Sequence, residues 1–418
     1  MERYDEYKDS GVEWIGEIPA GWEVARIGQV ASLSRQFDSH DDRYVGLENI
    51  ESWTGRYVES DSSCDTSQAV AFARGDVLFG KLRPYLAKVF EASFSGLCSS
   101  ELLPLTPRRV DGAYLSFCLR SPRFIDVVNE STYGTKMPRA NWQYIRKLQI
   151  PLPPRNVQAA IASFLRSRTY EIDGVIADCE REVELLQEYR KAVISEAVTR
   201  GLDPNVPMKD SGIEWIGEIP VGWIVRPAKS LFTESKALRL SGDERCTVSQ
   251  KYGVIPQSQF TALENQRTVL ADKNLESWKH VSPGDFVISL RSFQGGIEFC
   301  RVSGCVTWHY IVLKGRTDAD DGYFRYLFKS KGYIEALQRT CTYIRDGQDL
   351  RYSNFIQVSL PLPPLSEQRS IATYLDKKTA VIDALIADYQ AMADKLREYR
   401  KSLISEAVTG KFKVPVLA

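Results

Sequence analysis

Lys8–Val24 reads KDSGVEWIGEIPAGWEV, and Lys209–Val225 reads KDSGIEWIGEIPVGWIV. Two further pairs follow in the same order. Ile150–Leu165 (IPLPPRNVQAAIASFL) answers Leu360–Leu375 (LPLPPLSEQRSIATYL), and Glu188–Thr199 (EYRKAVISEAVT) answers Glu398–Thr409 (EYRKSLISEAVT). A period of about 200 residues is far longer than a solenoid unit, so a whole domain and its connector have been duplicated. Between the repeated blocks the two copies keep similar lengths and differ in sequence. A constant frame therefore carries two variable inserts.

The inserts still align with each other. Gly75-Asp76-Val77-Leu78 answers Gly284-Asp285-Phe286-Val287, and the apolar run after each Gly-Asp reads as a buried strand. Tyr114–Val128 answers Tyr323–Leu337 with helical spacing of its apolar residues. Gly134–Trp142 answers Gly347–Phe355, which pairs Asn141 with Asn354. Short strand-like pieces with helices interspersed predict a mixed α/β domain in each copy.

Each insert stops at Pro153-Pro154 or Pro363-Pro364, with Asn156 or Ser366 as the expected helix N-cap. Leu165, Ile172, Cys179, Leu186 and Val193 then recur every seven residues. The second copy repeats this with Leu375, Ile382, Tyr389, Leu396 and Leu403. Val175, Val183, Tyr189 and Ala197, and Leu385, Met392, Tyr399 and Ala407, are expected beside these stripes. Sustained heptads predict coiled-coil helices of about 40 residues, roughly 60 Å long. Each copy offers the stripe the other needs, and the chain must return to begin its second domain, so antiparallel pairing is expected.

Composition sets wide bounds. The chain has 54 Lys+Arg and 54 Asp+Glu among 418 residues, so a nucleic-acid surface must be a local patch rather than a global charge. Val221–Leu360 carries 19 basic and 14 acidic residues, against 16 and 15 in Ala20–Ile150, so the excess is concentrated in the second insert. Eight scattered cysteines contain no C-x-x-C pair, which argues against a zinc or disulfide framework and for a reducing cytoplasm. No apolar run reaches the roughly 18 residues of a membrane span, and MERYDEYKDSG has no apolar signal core.

These residues together resemble the specificity subunit of type I restriction–modification systems. The SG[VI]EWIGEIP entry, the PLPP…Q…I…[FY]L junction and the EYRK…ISEAVT helix end carry the resemblance, twice and in order. It implies two similar target-recognition domains separated by two long antiparallel helices forming a coiled coil, a pseudo-twofold internal repeat. The expected boundaries are a conserved segment 1–24, a recognition domain 25–152, a long helix 153–200, a linker and entry segment 201–225, a second recognition domain 226–362 and a second long helix 363–412. The resemblance implies partners as well: double-stranded DNA, two methyltransferase subunits and motor–nuclease restriction subunits. S-adenosylmethionine, ATP and magnesium are then expected on those partners and no cofactor on this chain. A stand-alone DNA- or protein-binding scaffold, and an enzyme with an unrecognised site, are the other readings of the same duplicated fold.

Base edges and phosphates are met by Arg, Lys, Asn, Gln, hydroxyl and aromatic side chains. The reading loop expected in the first copy is Ser131–Arg139, with Tyr133, Thr135, Lys136 and Arg139. Its counterpart is Thr340–Asn354, with Tyr343, Arg345, Gln348, Arg351 and Asn354. Asn141 and Asn354 serve equally as turn caps or DNA contacts. Lys81, Arg83 and Arg291 follow the Gly-Asp strand and are placed for phosphate, or for plain solvation. Ser99-Ser100 and their counterparts Trp308-His309 are weaker candidates. Trp14, Trp22, Trp215 and Trp223 belong to the frame and read as packing residues. The charged faces Glu188, Arg190, Lys191, Glu196 and Glu398, Arg400, Lys401, Glu406 are expected to hold the partner subunits, with a merely solvated face as the alternative.

Catalytic signatures are absent from the sequence. Gly75–Lys81 matches the start of a phosphate-binding loop, but Leu82 stands where Ser or Thr must hold magnesium. Leu152 and Leu362 precede the double prolines where an amino-methyltransferase needs a polar residue. His40, His280 and His309 are dispersed, with no repeated Ser/His/Asp or His/Cys grouping.

Overall fold

The computed structural model describes residues 2–34, 43–59, 69–134, 136–264, 274–289, 292–340 and 350–415. The chain forms two compact units, Met1–Glu180 with Gln390–Ala418, and Arg181–Tyr389. Both long helices are thus shared, each contributing one half to each unit.

In the first unit a hairpin of Tyr7–Asp9 and Glu17–Pro19 opens the frame, and Glu23–Arg26 pairs antiparallel with Gln149–Leu152. The central sheet has the order Ala31–Leu33, Leu102–Pro107, Val77–Gly80, Val89–Glu91, all antiparallel. Val77–Gly80 is buried throughout, as its unbroken apolar run predicts. A smaller sheet joins Tyr44–Val45, Gly96–Cys98 and Val70–Phe72, with the first pair parallel.

The second unit repeats this frame. Met208–Asp210 pairs with Glu218–Pro220, and Ile224–Pro227 with Ser359–Leu362. Its central sheet runs Phe232–Ser235, Ile311–Gly315, Phe286–Ile288, Glu298–Phe299. The small sheet is replaced by two ladders, Cys246–Ser249 with Gly253–Pro256 and Lys279–Val281 with Gly304–Val306, joined by a parallel bridge between Arg245 and Cys305. The divergence lies outside the central sheet.

Equivalent turns confirm the alignment around the Gly-Asp strand. Gly75 and Gly284 adopt φ +91° and +92°, a region glycine enters without strain. The buried carboxylates of Asp76 and Asp285 accept from the Ala73 and Ser282 N–H groups at 3.0 and 2.9 Å. The segment resembling a phosphate-binding loop is therefore a central β-strand. Its geometry differs from the loop-to-helix passage that cradles phosphate.

The stretch with helical spacing from Tyr114 forms two helices, Gly112–Arg120 and Pro122–Glu130. Its counterpart is Asp321–Leu327 and Lys331–Arg339. The break falls at extended Ser121 and Ser330, so Pro122 alone does not cause it. The long helices span Arg155–Arg200 and Leu365–Val408. Asn156 and Ser366 lie inside the first turn rather than capping it. The carbonyls of Pro154 and Pro364 instead accept from the Gln158 and Gln368 N–H groups at 2.9 and 3.0 Å.

Those glutamines tie helix to domain. Gln158 Oε1 accepts from Asp111 N at 2.8 Å while its amide donates to Pro153 O at 2.7 Å. Gln368 does the same with Asp320 N at 2.9 Å and Pro363 O at 2.9 Å. Tyr114 Oη lies 3.1 Å from both Pro151 O and Val408 O. Tyr323 Oη donates to Val198 O at 2.7 Å. Val198 and Val408 sit in the last turns of the long helices, where carbonyls lack intrahelical partners. Burial pushes both phenols well above the usual tyrosine range, so each remains a protonated donor.

Within each unit the helix halves run antiparallel. In the first, Phe164 meets Phe412, Asp173 meets Arg400 and Glu180 meets Arg397. In the second, Arg190 meets Asp383, and Gly201 approaches Glu367. Leu165, Ile172, Cys179, Val193, Leu375, Ile382 and Leu403 are buried as the heptads predict, while Leu186, Tyr389 and Leu396 are half-buried. Ala197 and Ala407 are buried beside them. Val175, Tyr189, Leu385, Met392 and Tyr399 are exposed, contrary to expectation. One facing helix half covers a single stripe and leaves the adjoining positions open. The frame tryptophans Trp14, Trp22 and Trp223 are buried, and Trp215 packs edge-on against Tyr333. No helix among the described residues is long and apolar enough to cross a membrane.

Replacing Tyr114 or Tyr323 by Phe should lower stability by about 1–2 kcal/mol each, because buried carbonyls lose their donor. Urea unfolding of the full chain measures this, and unchanged midpoints in both variants would contradict the role given to the hydroxyls.

Candidate nucleic-acid interface

The first copy's candidates converge on one surface. Lys81 N–H donates to Glu101 O at 3.0 Å, and Ala140 N–H to Lys81 O at 2.9 Å. Arg83 N–H donates to Pro138 O at 2.8 Å, and Tyr133 and Arg139 exchange backbone bonds at 3.3 and 3.1 Å. Two segments far apart in sequence, 81–83 and 133–139, are thereby stitched into one patch. Arg83, Tyr133 and Lys136 are exposed there, while Lys81 is half-buried. Arg139 is partly committed, since its guanidinium pairs with Glu101 at 3.1 Å. Thr135 lies outside the described residues.

Sequence reasoning missed Tyr85, which is exposed on the same patch in the short turn Pro84–Leu86. An aromatic directly after proline in the basic run KLRPY was the available signal. Exposed aromatic rings beside cations suit stacking on bases and attraction to phosphate.

In the second copy Arg291, Tyr343, Arg345 and Gln348 lie outside the described residues. Arg351 is exposed at the start of the helical turn Tyr352–Phe355. Asn354 sits inside that turn, accepting from Arg351 N at 3.0 Å and donating to Thr340 O at 2.6 Å. The pairing of Asn141 with Asn354 is corrected by the structure. Asn141 precedes the turn Trp142–Ile145 and accepts from Gln143 N at 2.8 Å. The bonds Ile145 N to Asn141 O and Leu148 N to Ile145 O recur as Phe355 N to Arg351 O and Val358 N to Phe355 O. The counterpart of Asn141 is therefore Arg351, and the recurring asparagines are a coincidence of loops of unequal length. Both asparagines are engaged in turn bonds.

The same substitution of chemistry on a shared frame appears after the Gly96–Cys98 and Gly304–Val306 strands. The turn bonds Leu102 N to Ser99 O and Tyr310 N to Thr307 O correct the sequence pairing by one residue, so the first copy places Ser100 and Glu101 there. The second places Trp308 and His309, exposed and stacked with ring centroids 3.5 Å apart.

The helix faces also sort themselves. Glu188, Lys191, Glu196, Glu398 and Glu406 are exposed. Arg190 pairs with Asp383 at 2.8 Å near the surface, and Lys401 lies 4.0 Å over the Trp53 ring. Arg400 is not on a docking face at all. It is 5% exposed, pairs with Asp173 at 2.7 Å and donates to Trp53 O at 3.0 Å. The loop bearing Trp53 covers it, which a heptad pattern does not reveal.

A single Ser/His/Asp grouping occurs in the second copy. His280 Nδ1 lies 2.8 Å from Asp243 Oδ2, and Nε2 lies 3.0 Å from Ser282 Oγ. Asp243 also accepts from Leu240 N at 2.8 Å, and Ser282 N–H is committed to Asp285 at 2.9 Å. The trio closes a turn onto the Lys279–Val281 strand, and the backbone donor that an oxyanion would need at the serine is occupied.

The family model for the type I restriction modification DNA specificity domain matches residues 19–174. The chain is 23% identical over 431 residues to a putative type I restriction enzyme MjaX specificity subunit of Methanocaldococcus jannaschii, covering 96% of each. The chain is thus similar to type I restriction–modification specificity subunits over nearly its whole length. The EcoDI specificity subunit of Escherichia coli is 29% identical over 147 residues, 34% of this chain and 33% of that protein. Among solved structures, a chain from work on complex assembly and conformational transition of the type I R-M system superposes with TM-score 0.73 at 20% identity, covering 94% of this chain and 99% of that one. The HsdS subunit from Thermoanaerobacter tengcongensis gives 0.53 at 19% identity, covering 94% and 98%. The fold of these structures therefore extends over both copies, and the likeness to specificity subunits supports a role in DNA recognition.

The arginine pairs differ in burial and should differ in energy. Arg400→Met should cost about 3 kcal/mol or more, because Asp173 loses its partner in a largely buried place. Arg190→Met should cost less than about 1 kcal/mol. Equal losses in denaturant titrations would contradict this assignment.

Proposed function

We propose that the chain reads a split, asymmetric duplex site, with one recognition domain for each half. The carrying observation is the pairing of a near-identical frame with different side chains at equivalent loop positions. Asn141 answers Arg351, and Ser100-Glu101 answer Trp308-His309. Identical reading residues would select an inverted repeat, so differing ones select two unlike half-sites. In the first domain the patch of Lys81, Arg83, Tyr85, Tyr133 and Lys136 supplies phosphate and base contacts. Arg351 and the Trp308–His309 stack belong to the second.

The chemistry then belongs to partners. Methyltransferase subunits, two by the logic of a duplicated docking surface, bring S-adenosylmethionine, and restriction subunits bring ATP and magnesium. The exposed charges Glu188, Lys191, Glu196, Glu398 and Glu406 are the docking residues this reading favours. The compartment is the cytoplasm, consistent with eight unpaired-looking cysteines by sequence. A stand-alone scaffold is less favoured, because the likeness to specificity subunits spans 96% of the chain.

Co-expression with the cognate methyltransferase, followed by mapping of modified adenines, tests this. Two different short sequences separated by unspecified bases are expected. One continuous or palindromic site would overturn the proposal.

A further inference from the structure

The first unit holds a cleft of about 900 Å³ between the turn Glu51–Tyr57, the helix Gly112–Arg120 and its halves of the long helices. Most of its charges cancel in pairs: Arg56 with Glu51, Arg166 with Glu91, Arg397 with Glu180 and Arg400 with Asp173. Two cations remain. Arg120 is 7% exposed; its guanidinium lies 4.5 Å over the Phe117 ring and donates to the Thr54 and Ser116 carbonyls and the Ser116 hydroxyl, and it makes no ion pair among the described residues. Lys401 faces only the Trp53 ring among those residues. Burial, reinforced by Arg400, pushes the Arg120 pKa down to about 9, while Glu91 and Asp173 hold it up.

The second unit resolves the same problem internally. Lys329 precedes Ser330 as Arg120 precedes Ser121, and its ammonium lies 2.6 Å from Glu298, which is 1% exposed. Glu298 pairs across the sheet with Val287 as Phe90 pairs with Leu78. The compensating carboxylate of one copy is thus an apolar ring in the other. An unpaired buried cation is unfavourable unless an anion is supplied from outside.

A strained turn marks the same place. Trp53 adopts φ +66°, unusual for a bulky side chain. Its carbonyl and that of Thr54 are held by Arg400 and Arg120. Such strain gathers at ligand clamps. The cleft's volume falls within the range of small-molecule sites.

We propose that this cleft binds a phosphate-bearing ligand of nucleotide size, with phosphoryl oxygens at Arg120 and Lys401 and an aromatic ring against Trp53 or Tyr170. Guanidinium groups match phosphate oxygens in geometry and charge, and Tyr170 is 81% exposed at the cleft's rim.

The test uses the full chain, with pyrophosphate, ADP and adenosine as probes against sodium chloride of matched ionic strength. Saturating ADP should raise the thermal midpoint by at least about 2 °C and change tryptophan fluorescence. ADP should bind more tightly than pyrophosphate, and adenosine least. Lys401→Ala, at a half-buried rim position, should weaken ADP about tenfold, and Arg120→Gln should abolish binding. Lys329→Met should leave ADP affinity unchanged. If Arg120→Gln fails to fold, Lys401→Ala carries the test. A midpoint shift no larger than that of chloride, wild-type affinity in Lys401→Ala, or equal affinity for ADP and pyrophosphate would overturn the proposal.

Discussion

Each recognition domain is held to the long helices by one buried phenol. Tyr114 sits between Pro151 O and Val408 O, and Tyr323 donates to Val198 O. The hydroxyl occupies a helix-terminal carbonyl that has no partner of its own. Gln158 and Gln368 complete the tie by bonding both the helix start and the domain's capped turn. Each unit thus needs the end of one helix and the beginning of the other. Removing either half would leave buried polar groups and an uncovered apolar stripe.

That constraint explains which parts of the chain repeat. Entry segment, proline junction and helix end converge on the same few bonds, so substitution there disturbs several partners at once. The Gly-Asp turns before Val77 and Phe286 belong to the same frame, because only glycine accepts their backbone shape without strain. Among the described residues the loops that bear Ser99-Ser100 or Trp308-His309 make no such bonds to the helices, so they can diverge. Rigid frame and variable loop are two consequences of one arrangement.

Much of this was legible because it is periodic or duplicated. The heptad stripe, the strand after Gly-Asp and the packing tryptophans follow from local patterns whose meaning does not depend on distant residues. The rest depends on distant segments. Arg400 lies in a charged run, yet the turn at Trp53 buries it. Asn141 and Asn354 look equivalent in the text of the loops, while the hydrogen bonds align Asn141 with Arg351. Val175 and Tyr399 are apolar at helical positions that one partner helix cannot reach. His280 met Asp243 and Ser282 through a tertiary turn that no spacing announces.

The central claim is that each copy reads its own half-site. It is tested most directly by exchanging Ala20–Ile150 for the equivalent segment of a relative with a different recognised sequence, then mapping methylated adenines with the same methyltransferase. The account predicts that one half-site changes and the other is retained. A change in both halves, or in neither, would contradict it.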